Sequence, residues 1–174
     1  MCLNLFACST PNGTDNTKKQ PSFPSLGKYW VVDPDGYLEL DTIKYADAIL
    51  EQLRKDHIAE VAIVIQKGVK DNGPYDDELI WARDWGRYIE LGDKEDRRAI
   101  VWLIRPDVDP EDDRIIIEIS KDLTWLTLGK YKPIMEDAAI YANFDDFDKA
   151  VEILTKETDE VLRKLWNEKN NGGN

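Results

Sequence analysis

The hydrophobic positions along the chain fall into short runs separated by longer amphipathic stretches. Four runs rich in Val and Ile show no helical period, which predicts β-strands at 29–33, 59–66, 98–105 and 114–120. An Asp-Pro-Asp-Gly turn follows the first run at 33–36, and a loop with two glycines and a proline follows the second at 67–74. These turn residues mark where the predicted strands end.

Helical spacing governs the segments between and after these strands. The first predicted helix begins near Asp41 or Thr42, either of which can cap its first turn. Its apolar positions recur every three or four residues: Ile43, Ala46, Ile49, Leu50 and Leu53. A second helix is predicted over 75–88, and the chain after Trp125 is predicted to be helical, ending in a long helix.

The order of these elements predicts an α/β fold, a three-layer α/β/α sandwich with a central mixed sheet of about four strands. The first two strands should be parallel because a helix connects them, and the third and fourth should form an antiparallel pair. If the fourth strand runs parallel to the first two, the loops 33–36, 67–74, 91–98 and 120–126 share one end of the sheet. The acidic loop 106–113 then lies at the other end.

Open α/β sheets bind ligands beyond the carboxyl ends of their parallel strands. The expected loop arrangement therefore selects these site candidates: Asp33, Asp35, Asp93, Lys94, Asp96, Arg97, Arg98 and Asp122. Hard cations such as Ca²⁺ and Mg²⁺ take several oxygen ligands from loops, and Asp33 with Asp93 or Asp96 could supply them. Alternatively, Asp33 and Asp35 only form the turn, with their side chains bonded to nearby backbone N–H groups.

Charged residues elsewhere leave two further alternatives open. Lys94, Arg97 and Arg98 precede the third strand, where they could hold an anion such as phosphate or keep an apolar strand soluble. The five carboxylates of loop 106–113 lack the Gly and the distal Glu of an EF-hand. A solvated loop tip is therefore the favoured interpretation of that loop.

Composition narrows the classes of function. The formal net charge of -12 makes nucleic acid and anionic lipid headgroups poor partners, whereas divalent cations or the basic patch of a protein suit it. The chain has one His and two Cys, without the spacing of an ordinary zinc site. A Ser-His-Asp triad would require Ser120 to meet His57, which the predicted topology disfavours.

The N-terminal segment resembles a bacterial lipoprotein signal and its tether. In that interpretation Cys8 of Leu5-Phe-Ala-Cys8 is lipidated, and the polar residues 9–27 form a flexible leash in the bacterial envelope or periplasm. The apolar stretch before Cys8 is short and lacks a basic start, so the alternative is a disordered tail on a cytoplasmic protein. The expected organisation is a tail at 1–27, a domain at 28–167 and a frayed end at 168–174.

The order of the motifs resembles the TPM domain, a small α/β/α module of bacterial envelopes and plant thylakoids. The resemblance covers about residues 29–165. It rests on Val31-Val-Asp33-Pro-Asp-Gly-Tyr-Leu38 as the opening strand and turn, and on Trp85-Gly86 followed by Gly92-Asp-Lys94. The segment Asn143-Phe-Asp-Asp-Phe-Asp-Lys-Ala150 is similar to the region before the last helix of the family.

The resemblance implies a loop crevice that holds a divalent cation, Ca²⁺ or alternatively Mg²⁺, with Asp33 and Asp93 as ligands. Acid phosphatase activity is described for some members. The segments 96–99 and 120–124 lack the glycines of the family pattern, which removes positions where backbone can approach a ligand closely. We therefore expect a non-catalytic envelope-associated module with a cation and an envelope protein as partners. A metal-assisted acid phosphatase that hydrolyses phosphate monoesters is the alternative.

Overall fold

The computed structural model describes residues 23–69, 77–92 and 97–171. Its elements, in chain order, are β1 (Val31–Val32), α1 (Leu40–Lys55), β2 (Glu60–Ile65), α2 (Glu78–Tyr88), β3 (Ala99–Ile104), β4 (Ile115–Ile119), α3 (Leu128–Ala142) and α4 (Phe147–Asn171). The predicted α/β class with a mixed four-stranded sheet is confirmed. No described helix has the length and apolar character needed to span a bilayer.

The strands follow one another across the sheet in the order β1-β2-β3-β4. β1 is parallel to β2, with Val31 beside Ile63, and β2 is parallel to β3 along its whole length. β4 is antiparallel to β3, with Trp102 opposite Ile117. The expectation of an antiparallel pair is confirmed. The assumption that β4 runs parallel to β1 and β2 is wrong. It is β3 that runs parallel to them, and β4, which is antiparallel to β3, runs in the opposite direction.

The direction of β3 follows from the two helical crossovers. A strand–helix–strand unit returns the chain to start the next strand at the same end of the sheet, and α1 and α2 both provide such a connection. The loops that leave β1, β2 and β3 therefore share one edge, which we call the carboxyl edge. It comprises 33–39, 66–69 and 105–114. The opposite edge comprises 56–59, 91–92, 97–98 and 120–127.

The sheet separates two hydrophobic clusters. One cluster packs α1, α3 and α4 against side chains that include Ile63 and Trp102. The other packs α2 against Val64, Val101 and Leu103. β2 and β3 bury side chains on both faces, which explains why their sequences are continuous apolar runs without alternating polar residues.

Helix boundaries depend on tertiary contacts that the local sequence does not show. α1 begins at Leu40 with Glu39 at the N-cap position and no side-chain cap, so the predicted caps Asp41 and Thr42 are wrong. The backbone N–H of Glu39 instead donates to Asp148 Oδ1 of α4 at 3.0 Å. α4 continues to Asn171, beyond the predicted start of fraying at 168.

The segment before β1 packs onto α2. The Phe23 ring lies 5.6 Å from that of Trp81, and the carbonyl of Pro24 accepts a hydrogen bond of 2.8 Å from Trp85 Nε1. Trp85 is fully buried, and a buried indole N–H requires an acceptor. The expectation that residues 9–27 form an unpacked leash is therefore wrong from Phe23 onward.

Side chains of α1 hold β1 in place, although this strand has only two residues. The Trp30 backbone N–H donates to Asp47 Oδ1 at 2.8 Å, and its indole N–H donates to Glu51 Oε2 at 2.9 Å. Arg54 donates to both carboxylate oxygens of Glu51, each at 2.8 Å. The bond from Arg54, followed by that from Trp30, lowers the pKa of Glu51 from 4.5 to about 2. Ionised Glu51 thus anchors the strand that precedes Asp33.

We expect Glu51→Gln to lower the free energy of unfolding by about 1 kcal/mol at neutral pH, a value discounted for solvent screening. The folded-state pKa of Glu51, about 2, is below its ordinary value of 4.5. The ionised carboxylate therefore stabilises the folded state fully above pH 4.5, and this stabilisation is lost as the pH falls through about 2. Urea unfolding across this pH range measures the difference between wild type and E51Q, which should shrink in acid. A difference independent of pH would contradict the account. Glu136→Gln, which removes an exposed pair with Lys132, is the control and should have little effect.

Two buried threonines of α4 allow a matched test of core polar contacts. Trp102 Nε1 donates to Thr158 Oγ1 at 3.1 Å, whereas Thr155 Oγ1 has no hydrogen-bond partner within the described parts of the chain. Thr158→Val should cost about 1–3 kcal/mol because it leaves the buried indole N–H without an acceptor. Thr155→Val makes the same change of shape and should be neutral or stabilising. Equal losses in chemical denaturation would rule out this explanation.

Candidate functional site

Asp33 leaves β1 at the carboxyl edge, and both of its carboxylate oxygens accept backbone hydrogen bonds. Oδ1 accepts from the N–H of Gly36 at 3.0 Å, and Oδ2 accepts from the N–H of Leu38 at 2.7 Å. Gly36 has a φ of 76°, a conformation that glycine adopts without strain. The side chain therefore shapes the turn, and each oxygen keeps a lone pair for a further ligand.

Lys67 leaves β2 at the same edge and faces the turn after β1. Its Nζ lies 4.9 Å from the centre of the Tyr37 ring. A hydrogen bond with Tyr37 is the main cause that raises the pKa of Lys67, and the charges of Asp35 and Asp107 add to it. The Tyr37 ring packs edge-on against Phe147 of α4, with ring centres 5.2 Å apart. The charges of carboxylates from two different loops therefore act on the ammonium group of Lys67.

Asp107 connects the loop after β3 with the loop after β2. Its Oδ2 accepts a hydrogen bond of 2.6 Å from the backbone N–H of Gly68. Gly68 has a φ of 63°, so the backbone there takes a conformation that favours glycine. The contact of Lys67 with Tyr37 joins the loop after β2 to the loop after β1. The hydrogen bond from Gly68 to Asp107 joins the loop after β2 to the loop after β3. The loops after all three parallel strands are therefore connected.

The base of the acidic loop 106–113 is held by two buried arginines, neither of which was predicted to be a site residue. Arg105 is 3% exposed and pairs with Glu78 at the start of α2. Its Nε donates to the carbonyl of Asp113 across the mouth of the loop at 3.1 Å. Planar guanidinium groups suit such fixed, multiple contacts. Arg105 therefore ties α2 to both arms of the loop that carries Asp107.

Arg114 makes a similar set of contacts on the other arm and is 6% exposed. It donates to the carbonyl of Val108 at 3.0 Å, to the carbonyl of Ala142 at 2.7 Å and to Asp145 Oδ1 at 2.6 Å. Residues 109–113 at the tip of this loop are exposed, as the sequence predicted, whereas the base of the loop is fixed to the end of α3. The sequence signal for both arginines was their position directly beside an apolar strand.

The cationic candidates that the structure describes lie at the opposite edge. Arg98 donates from Nε to the carbonyl of Ile58 at 2.7 Å and from a terminal nitrogen to the carbonyl of His57 at 2.5 Å. Its guanidinium also lies 4.7 Å from the centre of the Trp166 ring. Arg98 thus joins the end of α1 to α4. Arg97 is exposed and has a positive φ of 48°.

The sheet therefore separates residues that were predicted to lie at one end of it. Asp33 and Asp35 lie at the carboxyl edge, whereas Arg97, Arg98 and Asp122 lie at the opposite edge, because β3 begins there and β4 ends there. The grouping of their loops at one end is wrong. Within the described ranges, no group of three or more His, Cys, Asp and Glu side chains is placed to hold a metal ion.

Four predicted residues lie outside the described residues: Cys8, Asp93, Lys94 and Asp96. Gly92 and Arg97, which flank the last three of them, both lie at the opposite edge. The roles assigned to these four residues from the sequence stay predictions.

Comparisons with known proteins agree with this architecture. Among solved structures, the N-terminal domain of a protein from P. gingivalis is 21% identical with a TM-score of 0.60, and the match covers 78% of this chain and 83% of that one. The N-terminal domain of cg2496 from Corynebacterium glutamicum is 13% identical with a TM-score of 0.53, covering 82% and 83%. BA42 from Bizionia argentinensis is 12% identical with a TM-score of 0.57, covering 76% and 86%. These similarities show the fold.

A search of curated proteins finds no match to the chain. The model of one protein family, described as the TPM domain, matches residues 31–161, which is more than half of the chain. The matched region begins with β1, includes the whole sheet and ends within α4. The chain therefore belongs to the TPM domain family.

Proposed function

We propose that this TPM domain is a non-catalytic module that binds a divalent cation at the carboxyl edge of its sheet, beside Asp33. The observation that carries the proposal is the convergence of the loops after β1, β2 and β3, which are joined by direct contacts. This is the edge at which open α/β sheets bind ligands. The loops bring Asp33, Asp35 and Asp107 to the edge of a chain whose net charge is already -12.

The chemistry of the donors fits a hard cation. Carboxylate and carbonyl oxygens of flexible loops are the ligands that Ca²⁺ takes in variable number, whereas Mg²⁺ demands a stricter octahedral set. We therefore propose Ca²⁺ as the ion, with Mg²⁺ as the weaker alternative.

The position of Arg98 supports binding without catalysis. A metal-assisted phosphatase requires its metal and the groups that stabilise phosphoryl charge to act on one substrate. Arg98 is at the opposite edge from Asp33, and its guanidinium contacts two backbone carbonyls and the Trp166 ring. The phosphatase alternative would therefore need charge-stabilising groups other than Arg98.

A calcium titration followed by heteronuclear NMR on the full chain tests the cation site. Shifts should cluster at 33–38, 67–69 and 107, and Asp33→Asn should weaken the affinity at least tenfold, about 1.4 kcal/mol, because an amide ligand carries no charge. Asp35→Asn should weaken it as well, without removing the hydrogen bonds that shape the turn. Asp122→Asn, at the opposite edge, is the matched control and should leave the affinity unchanged.

Two results would contradict this proposal. Shifts confined to 91–98 and 120–124 would move the cation to the opposite edge. Calcium-dependent turnover of p-nitrophenyl phosphate that is lost in Asp33→Asn would replace the binding module by the phosphatase.

We also propose that the domain is tethered in the bacterial envelope through a lipidated Cys8, where an envelope protein is its partner. The support is the resemblance of 5–8 to a lipoprotein signal and the polar composition of the residues that follow. Metabolic labelling with palmitate should mark the wild-type protein and not Cys8→Ser. An unlabelled wild-type protein in the cytoplasmic fraction would contradict the tether.

A further inference from the structure

A cavity of about 390 Å³ lies between α2 and the edge strand β4, away from the carboxyl edge. Its apolar lining includes Leu91 before β3 and Ala99 and Val101 on β3. Gly86 of α2 also lines it, and a Cβ at that position would lie 3.0 Å from Val101 Cγ2. The volume is within the range of pockets that hold small organic ligands, about 300–1,000 Å³.

Three cationic side chains line the same cavity. Arg83 and Arg87 are four residues apart on α2 and therefore project from one side of the helix. Lys121 follows β4 on the facing wall. Asp84 pairs with both arginines, at 3.9 Å and 3.0 Å. Even with that pairing, the cavity concentrates positive charge in a chain whose net charge is -12.

Glu118 on β4 is the carboxylate within this lining. It is half-buried, and burial raises its pKa, an effect that the charge of Asp77 at the N-cap of α2 increases. Arg83 and Arg87 oppose the shift. Partial burial therefore destabilises the ionised form of Glu118. When this residue takes up a proton, the net charge of the cavity lining becomes more positive.

The outer edge of β4 favours a small ligand over an added peptide strand. β4 is the last strand of the sheet, and edge strands can pair with extended peptides. Ile115 and Ile117 are only 2% and 8% exposed, however, so their part of the edge is covered. The accessible feature is the cavity on the face beside α2.

We propose that this cavity binds an amphipathic organic anion, with its apolar body against Ala99 and Val101 and its anionic group between Arg83, Arg87 and Lys121. Apolar walls with a few convergent polar groups are the usual composition of a ligand pocket. Guanidinium groups bind carboxylates and phosphates through paired hydrogen bonds. The site differs in place and in charge from the proposed cation site beside Asp33.

Titration of the full chain with 8-anilinonaphthalene-1-sulfonate, an aromatic anion, tests the proposal by fluorescence and by amide shifts. Binding should saturate, with shifts centred on Leu91, Ala99 and Val101. The neutral analogue N-phenyl-1-naphthylamine should bind the wild-type protein at least tenfold more weakly, about 1.4 kcal/mol, because it lacks the group that the arginines bind. This comparison requires no variant and is unaffected by any folding defect.

The double variant Arg83→Gln with Arg87→Gln should weaken binding of the sulfonate at least tenfold and leave the neutral analogue unchanged. Lys132→Gln with Lys156→Gln removes the same charge from exposed pairs on α3 and α4 and is the control. Equal binding of the two dyes would overturn the proposal. So would an unaffected arginine variant, or shifts centred away from the cavity.

The pH dependence gives a second, independent readout. The sulfonate stays ionised, so its affinity should rise as the pH falls through the pKa of Glu118, when the neighbouring carboxylate becomes neutral. Glu118→Gln should remove most of this rise while keeping the affinity of the neutral analogue. A pH profile that is identical in wild type and Glu118→Gln would contradict a site beside this residue.

Discussion

The parallel direction of β3 is the constraint on which the rest of the structure depends. The crossover through α2 returns the chain to the end of the sheet at which β2 begins, and β3 then pairs with β2 over its full length. Because β2 and β3 bury their side chains against helices on both faces, a one-residue shift in register would move every one of those side chains to the wrong face. The parallel pairing of β3 with β2 therefore determines which loops meet at each edge of the sheet.

The carboxyl edge is built from polar contacts that this topology makes available. Asp33 folds the turn after β1, Asp107 accepts from the backbone of the loop after β2, and Arg105 and Arg114 fix the loop after β3 to its surroundings. Buried guanidinium groups are costly unless their donors find acceptors, and both arginines bond to backbone carbonyls and to a carboxylate. These contacts hold the acidic loop in the position where Asp107 bonds to the loop after β2.

Much of the fold could be predicted from the sequence, because burial on both faces leaves a local pattern. The apolar runs at 59–66 and 98–105 predicted β2 and β3 to within one residue at each end. The start of α1 could not be predicted in this way, because Glu39 is bonded to Asp148, which is 109 residues away. The packing of Phe23 on Trp81 could not be predicted either, because it is a tertiary contact and the neighbours of Phe23 in the sequence are polar.

Less of the candidate site could be predicted, because a site depends on the directions of strands. The apolar pattern of 98–105 is the same whichever way β3 runs, so it could not show that Asp33 and Arg98 lie at opposite edges. The burial of Arg114 depends on Ala142 and Asp145, which come from a helix end far along the chain. The Asp-Pro-Asp-Gly sequence did predict the turn at Asp33, because its side-chain contacts are local.

The position of a bound ion shows directly whether a divalent cation binds at the carboxyl edge. Mn²⁺ accepts the same oxygen ligands and broadens nearby amide signals in NMR spectra. When substoichiometric Mn²⁺ is added, we expect the strongest broadening at 35–38, 67–69 and 107, and we expect Ca²⁺ to reverse it. Broadening centred on 97–98 and 120–124, with those loops unaffected, would contradict binding at the carboxyl edge.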